Sequence, residues 1–225
     1  NRWTNNNKKI MFNSRVQGSE LLYDQCVQLK IKPKTFISAS AMGYYGFNQK
    51  GIKDEKQPPG NDWMSELCVN WERMADQFES LDTRVCKLRF ALILDKKAKI
   101  MKKINLSFKF GIGLILGSGK QAFPWIHSHD ACSFINHLIQ NNDARGVFNV
   151  ASPGYNSYYE FIKSMQVIKY PRSMLMHIPK IIIDYLMPQK KSLLFNDIKL
   201  NVNKMRKTGF NCRYKTLEDL MKEDK

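Results

Sequence analysis

The sequence is short of acidic residues: 36 lysines and arginines stand against 20 aspartates and glutamates, which gives a formal net charge of +16. A basic excess of this size favours nucleic acid, an anionic membrane surface or an acidic partner. The basic residues are spread along the chain, and aromatic residues do not alternate with them as a base-stacking platform requires. We therefore interpret the excess as a solvated basic surface and do not expect a dedicated nucleic-acid site.

Long hydrophobic runs and paired cysteines are also lacking. The best apolar stretch, residues 178–187, contains Pro179, Lys180 and Asp184 and is well short of the roughly 20 residues that span a bilayer. A transmembrane segment is therefore not expected. The five cysteines are an odd number without a Cys-x-x-Cys pair, which argues against a disulfide framework or a zinc site. This pattern predicts an intracellular, reducing compartment.

Helical and extended patterns alternate along the first half of the chain. Apolar residues recur at helical spacing over residues 14–29, and a second helix is predicted from Trp63 to Ser80, with Asp62 as its cap. Strands are predicted at Thr35–Ser40 and at Arg84–Leu94, where apolar and β-branched residues dominate. This alternation predicts an α/β fold in which helices cover a parallel sheet.

The second half repeats the alternation and then changes character. The patterns predict helices over 100–110 and 155–167, a helix through Ile139 capped by His129 or Asp130, an extended segment at 122–127 and a strand at Gly146–Val150. Residues 111–119, rich in glycine, are predicted to be flexible. After Pro171 the sequence predicts a small, mainly helical lobe that ends in a helix over 217–222.

The carboxyl ends of the predicted strands are the places to look for a ligand site, because ligands of doubly wound folds bind there. The first strand ends in Ser38-Ala39-Ser40-Ala41 and leads into Gly43-Tyr44-Tyr45-Gly46; the next contains Arg89–Leu92. Small side chains would let a ligand approach the backbone, and hydroxyl groups could orient a carbonyl. Tight packing of a strand against a helix explains the Ser-Ala-Ser run equally well.

A series of short motifs runs through the chain in a recognisable order. Together they resemble the epimerase-like subgroup of extended short-chain dehydrogenase/reductases, once labelled cell-division-inhibitor-like. The matching stretches are Arg2-Trp3, Ser14-Arg15-Val16, Ser38–Gly46, Trp71-Glu72, Arg84-Val85, Leu88-Arg89, Gly117–Gln121, Trp125-Ile126-His127 with Asp130, Phe148–Pro153 and Gly209-Phe210.

The resemblance implies a Rossmann-type doubly wound parallel sheet with NADP(H) as the cofactor. It divides the chain into a partial NAD(P)-binding domain, 1–170, and a substrate-side lobe, 171–225. Family members begin with a strand and a glycine-rich turn that binds the pyrophosphate. Arg2-Trp3 matches a position well inside the fold, so we expect the N-terminal strands to be missing here and another chain or segment to cover the exposed sheet edge.

The resemblance also assigns residues to the expected site. The proposed catalytic hydroxyls are Ser40, Tyr44 and Tyr45, although simple core packing of the two tyrosines remains open. The cofactor would lie against Ser38, Ala39, Ser40, Arg89, Phe90, Ala91 and Leu92. The substrate would lie beside Trp125, His127 and Asp130.

Turnover is left open by a departure from the wider superfamily. Short-chain dehydrogenases use a Tyr-x-x-x-Lys pair in which the lysine lowers the tyrosine pKa, whereas the corresponding positions here are near Leu67 and Trp71. Trp71-Glu72 is interpreted as a packing tryptophan beside a helix-surface carboxylate. The chain is thus either an oxidoreductase or nucleotide-sugar-epimerase-like enzyme, or an inactive accessory subunit of a larger assembly such as a mitochondrial one.

Two apparent motifs are set aside. The glycines of 111–119 have the wrong spacing for a dinucleotide loop and do not follow a first strand. His127-x-His129-Asp130 could place two imidazoles on one face of a strand, but no third strong ligand cluster is evident, and no metal is expected.

Overall fold

The computed structural model describes residues 3–47, 49–186 and 196–222. Nine strands and nine α-helices are described in this part of the chain. The strands are β1 (Thr35–Ala41), β2 (Lys50–Lys53), β3 (Arg84–Phe90), β4 (Leu92–Leu94), β5 (Ile112–Leu116), β6 (Trp125–His127), β7 (Gly146–Val150), β8 (Met174–Ile178) and β9 (Asp197–Leu200). The helices are α1 (Asn5–Phe12), α2 (Gly18–Gln28), α3 (Trp63–Asp76), α4 (Lys99–Lys109), α5 (Ser128–Gln140), α6 (Tyr158–Lys169), α7 (Lys180–Leu186), α8 (Asn203–Lys207) and α9 (Leu217–Lys222).

The central sheet has the order β1-β3-β7, and both pairings are parallel. The register aligns Ser40, Arg89 and Asn149 across the three strands. Helices connect the strands, so the predicted α/β, Rossmann-type architecture is confirmed. β1 lies at one edge of this sheet, and no other described strand pairs with its outer side. The expected cover for that edge stays a prediction.

The predicted strand Arg84–Leu94 is in fact two strands. β3 ends at Phe90, and the Ala91 amide donates a 3.0 Å hydrogen bond to the Val150 carbonyl. The chain then leaves the central sheet, and β4 pairs with β6 in a second, two-stranded sheet. This change of sheet places Ala91 between the central sheet and the segment that begins with Trp125.

Apolar side chains fill both sides of the central sheet. On one side Phe134 of α5 packs edge-on against Phe148 of β7 at 5.7 Å between ring centroids. On the other side Phe36 of β1 stacks on Phe78 at 3.9 Å, in the 3₁₀ turn that follows α3. The Phe36–Phe78 contact fixes the end of α3 against the strand face that carries Ser40 and Arg89.

The predicted flexible stretch 111–119 contains strand β5, so that prediction was wrong. β5 pairs in parallel with β8. The glycine at position 113 is needed for close packing, because a Cβ there would lie 2.6 Å from the Phe108 ring and 2.7 Å from Leu175. The glycines therefore serve tight packing as well as turns.

Two further details differ from the sequence-based prediction. The cap of α5 is His127, whose Nδ1 accepts a 3.1 Å hydrogen bond from the His129 amide; neither His129 nor Asp130 caps it. Beyond Pro171, strands β8 and β9 accompany helices α7, α8 and α9, and they pair with β5 and β2. The division of the chain at residue 170 stays a prediction.

Candidate functional site

A buried ion pair lies at the carboxyl ends of β1 and β3. Arg89 of β3 donates from Nε to Glu72 Oε1 and from Nη2 to Glu72 Oε2, both at 2.8 Å. Ser40 of β1 donates a 2.6 Å hydrogen bond to the same Oε1 atom. The three residues are 2, 5 and 4% exposed, respectively. A bidentate, water-excluded pair of this kind fixes α3 to both strands.

The Arg89 guanidinium also orders the two tyrosines that follow β1. It lies 3.3 Å from the centroid of the Tyr44 ring, and Nη1 donates a 3.1 Å hydrogen bond to the Tyr45 hydroxyl. The Tyr45 hydroxyl has two acceptors within reach, Asn149 Oδ1 at 2.7 Å and the Asp54 carbonyl at 2.9 Å. The network therefore crosses all three central strands.

Burial and neighbouring charges shift the pKa values of several groups in this network. Burial alone would lower the pKa of Arg89, but hydrogen bonding to Glu72 and its charge more than reverse this, so the pKa of Arg89 is raised. Burial raises the pKa of Tyr45 to about 12, although Arg89 opposes the shift. Burial and the charge of Glu72 raise the pKa of the nearby Cys68 thiol to about 11. At neutral pH Tyr45 and Cys68 are therefore uncharged.

Sequence reasoning missed Glu72 and Asn149. Glu72 was expected on the helix surface and is instead buried, so that interpretation was wrong. A signal was available: Ser65, Cys68, Glu72 and Ala75 are all buried and follow the spacing of one helical face, so the carboxylate interrupts a core stripe. Only Arg89, from a strand far along the chain, explains why a charge is tolerated there.

The three predicted cofactor-binding residues of β1 fall on opposite faces of that strand. Ser38 and Ser40 are buried on the α3 face, whereas Ala39 between them is exposed. Phe90 and Leu92 are half-buried, and Ala91 is 6% exposed. Since the exposed side chain at this strand end is only a methyl group, an elongated ligand could lie against the backbone of β1.

The predicted substrate-side residues are all buried, and two of them, His127 and Asp130, contact the C-terminal segment. Asp130 accepts hydrogen bonds of 2.9 Å from the amides of Arg213 and Tyr214. His127 stacks on the Tyr214 ring at 3.9 Å between centroids. Trp125 donates from Nε1 to Asn156 at 3.1 Å. These contacts give Asp130 a structural role in attaching the chain near residue 214.

One concave surface feature lies away from this network. A surface cavity of about 410 Å³ is lined by Arg145, Phe148, Lys204 and their neighbours, at the amino-terminal end of β7. Among the residues that the structure describes, no group of three or more His, Cys, Asp or Glu side chains is arranged to hold a metal ion. Within the same residues, no helix is long and apolar enough to cross a membrane.

The fold and the buried network at its strand ends define a Rossmann-type α/β protein. No protein-family model matches the chain, but several curated proteins do. The chain is 32% identical to Epimerase family protein SH2119 of Staphylococcus haemolyticus over 224 residues, which cover 96% of this chain and 73% of that protein. It is also 32% identical to Epimerase family protein SA0724 of Staphylococcus aureus, over 99% of this chain and 75% of that protein. The chain belongs to this epimerase family.

Solved structures agree on the fold. The human epimerase family protein SDR39U1, solved with NADPH, superposes with a TM-score of 0.87 at 24% identity and covers 99% of this chain and 76% of that one. The UDP-glucose 4-epimerase of Thermotoga maritima, solved with UDP-glucose, superposes with a TM-score of 0.75 at 17% identity, over 94% of this chain and 68% of that one.

Proposed function

We propose that the protein binds a nicotinamide dinucleotide, NADP(H) in preference to NAD, across the carboxyl ends of β1 and β3, and that it acts as an oxidoreductase or epimerase on a hydroxyl-bearing substrate. The observation that carries the proposal is the exposed Ala39 beside the buried Ser40–Glu72–Arg89 network. It combines an approachable strand backbone with a rigid support beneath it. The NADPH present in the human structure supports the choice of cofactor.

The side chains here fit such a ligand in size and polarity. Ala39, Phe90, Ala91 and Leu92 would lie along the nicotinamide end, where small side chains and backbone groups leave room for a flat ring. The dinucleotide would supply hydride acceptance and return at the substrate carbon. Ser38 lies on the opposite face of β1, where its hydroxyl donates to the Ala39 carbonyl at 3.2 Å, and it would keep the strand end in shape.

Tyr44 is the best candidate for the proton-exchanging group among the three predicted hydroxyls. Ser40 is committed to Glu72, and Tyr45 is buried and hydrogen-bonded to Arg89. Tyr44 is half-buried, and its hydroxyl makes no hydrogen bond to another residue in the described part of the chain. Arg89 would therefore act as a positioning residue that holds the Tyr44 ring by stacking.

A second candidate function is that of a dinucleotide-binding accessory subunit that does not turn over, with a mitochondrial assembly as its setting. The observations that favour it are Leu67 and Trp71 at the positions of the missing Tyr-x-x-x-Lys pair and the engagement of Ser40 by Glu72. In this alternative Trp125, His127 and Asp130 serve structural contacts such as those described above. Binding without hydride transfer would distinguish it from the first proposal.

Titration of the full-length protein with NADPH, followed by nicotinamide fluorescence, tests the binding proposal. We expect saturation at micromolar or lower dissociation constants. Ala39→Glu, which adds bulk and charge at the proposed contact, should weaken binding at least about tenfold. Ile52→Glu is the matched control, since Ile52 is a strand residue that is 54% exposed outside the proposed crevice. Equal affinities of the two variants, or a lack of saturation, would contradict the proposal.

A further inference from the structure

The outer face of helix α4 carries an unusual mixture of lysines and large apolar side chains. Leu106 and Phe110 are 56 and 78% exposed and lie one helical turn apart, so they are neighbours on the same face. The opposite face of the helix is buried through Met101 and Phe108. The exposed pair is therefore not part of the core packing of this helix.

Lysines surround the apolar pair. Residues 96–129 contain no aspartate or glutamate, so the helix has no acidic partners of its own. Between residues 96 and 109 the exposed lysines are Lys96, Lys97, Lys99, Lys102, Lys103 and Lys109. No salt bridge involves any of them among the described residues.

The packing of α4 on its sheet separates this pair from other exposed apolar residues nearby. Leu175 of β8 lies on the sheet face that contacts Phe108, since a Cβ at Gly113 would meet both side chains. Met174 and Met176, which are 76 and 49% exposed, alternate with Leu175 and therefore lie on the opposite face of the sheet. We name the surface made of Leu106, Phe110 and the lysines of 96–109 the α4 face.

We propose that the α4 face binds the surface of an anionic phospholipid membrane. Apolar side chains that protrude among lysines suit the boundary between acyl chains and headgroups, where each lysine stem packs on apolar groups and its ammonium reaches lipid phosphates. Large exposed apolar side chains that adjoin one another mark interaction sites. Membrane binding accounts for both the lysines and the exposed apolar side chains, whereas solubility would require only the lysines.

The chemistry of the α4 face favours a membrane over two other partners, a second copy of the chain and a nucleic acid. A second copy of the chain would bring the same uncompensated lysines face to face, and like charges in contact oppose association. A nucleic acid would engage the lysines but would leave Leu106 and Phe110 without a function. A bilayer surface satisfies both kinds of side chain, and binding of this type lies on the membrane without spanning it.

Co-sedimentation of the full-length protein with lipid vesicles tests the proposal. Vesicles of phosphatidylcholine containing about one third phosphatidylserine should bind the protein, vesicles of phosphatidylcholine alone should bind it weakly, and salt should reduce the binding. Leu106→Ser should weaken binding about fivefold or more. Ile139→Ser is the matched control, because Ile139 on α5 is also 56% exposed and lies outside the α4 face.

The contribution of the lysines to membrane binding is tested separately. The double substitution Lys102→Gln and Lys103→Gln should lower partitioning into the anionic vesicles by about tenfold or more. Lys207→Gln with Lys215→Gln removes the same charge elsewhere and should change partitioning by less than about threefold. Equal effects of the two pairs would overturn the proposal, and so would a lack of vesicle binding, competition by RNA that abolishes it, or dimerisation lost on Leu106→Ser.

Discussion

Replacing Glu72 by glutamine should be among the most damaging single changes in the protein. It would leave the Arg89 guanidinium, 2% exposed, without its carboxylate partner and would weaken the support for Ser40. Removing one partner of a buried ion pair costs about 3–5 kcal/mol, because the remaining charge is neither solvated nor compensated. We expect the free energy of unfolding of Glu72→Gln to fall by that amount, measured by urea denaturation with tryptophan fluorescence.

A second ion pair between the same helix and the same strand provides the control. Asp76 of α3 pairs with Lys87 of β3, but its side chain is 44% exposed. Asp76→Asn should therefore cost only about 0–1 kcal/mol. The double variant Glu72→Gln with Arg89→Met should recover part of the loss, since the unpaired charge is removed as well. If Glu72→Gln cost no more than Asp76→Asn, our account of the buried network would be wrong.

Three further predictions concern stability. Burial raises the pKa of Cys68 and of Cys212 to about 11, so between pH 9 and 11 the unfolded chain loses these protons first, and the free energy of unfolding falls by up to about 1.4 kcal/mol per pH unit for each thiol. Cys68→Ala should make this decline less steep when urea unfolding is measured above about pH 8, and an unchanged slope would refute the prediction. Asp130→Asn should cost about 1–3 kcal/mol and speed amide exchange at Arg213 and Tyr214, whose unchanged protection would show that Asp130 does not hold this segment. Gly60→Ala should destabilise the protein by about 2 kcal/mol or more, because the added Cβ would lie 2.6 Å from Gly46 Cα. Gly18→Ala, whose Cβ would meet nothing within 4 Å, should stabilise the protein by about 0.5–1 kcal/mol. Thermal or urea unfolding measures both, and equal effects would contradict the packing argument.

Elements whose signals are local could be predicted from the sequence. β7 was predicted with its observed limits, Gly146 to Val150, because a glycine begins a short, mostly apolar run. Asp62 was identified as the cap of α3, and its Oδ1 accepts from the Met64 and Ser65 amides at 3.0 Å. Such signals depend on residues a few positions apart, which a sequence displays directly.

Features that depend on distant partners could not be predicted in the same way. β5 was hidden by its glycines, and its pairing with β8 joins residues about 60 positions apart. From the sequence alone Glu72 resembles a surface carboxylate, because its partner Arg89 lies on a separate strand. The rule that ligands bind at strand ends and the motif order both suggested that Ser40 and Arg89 share a site. The structure adds that Ser40 donates to Glu72, a contact that no local pattern contains.

Amide hydrogen exchange of the full-length protein, compared with and without NADPH, tests the central claim most directly. If the dinucleotide lies across the carboxyl ends of β1 and β3, the cofactor should slow exchange at residues 39–44 and 90–92 and leave residues 145–148, at the other end of β7, unchanged. Slowed exchange at 145–148 with unchanged rates at 39–44 and 90–92 would contradict the account.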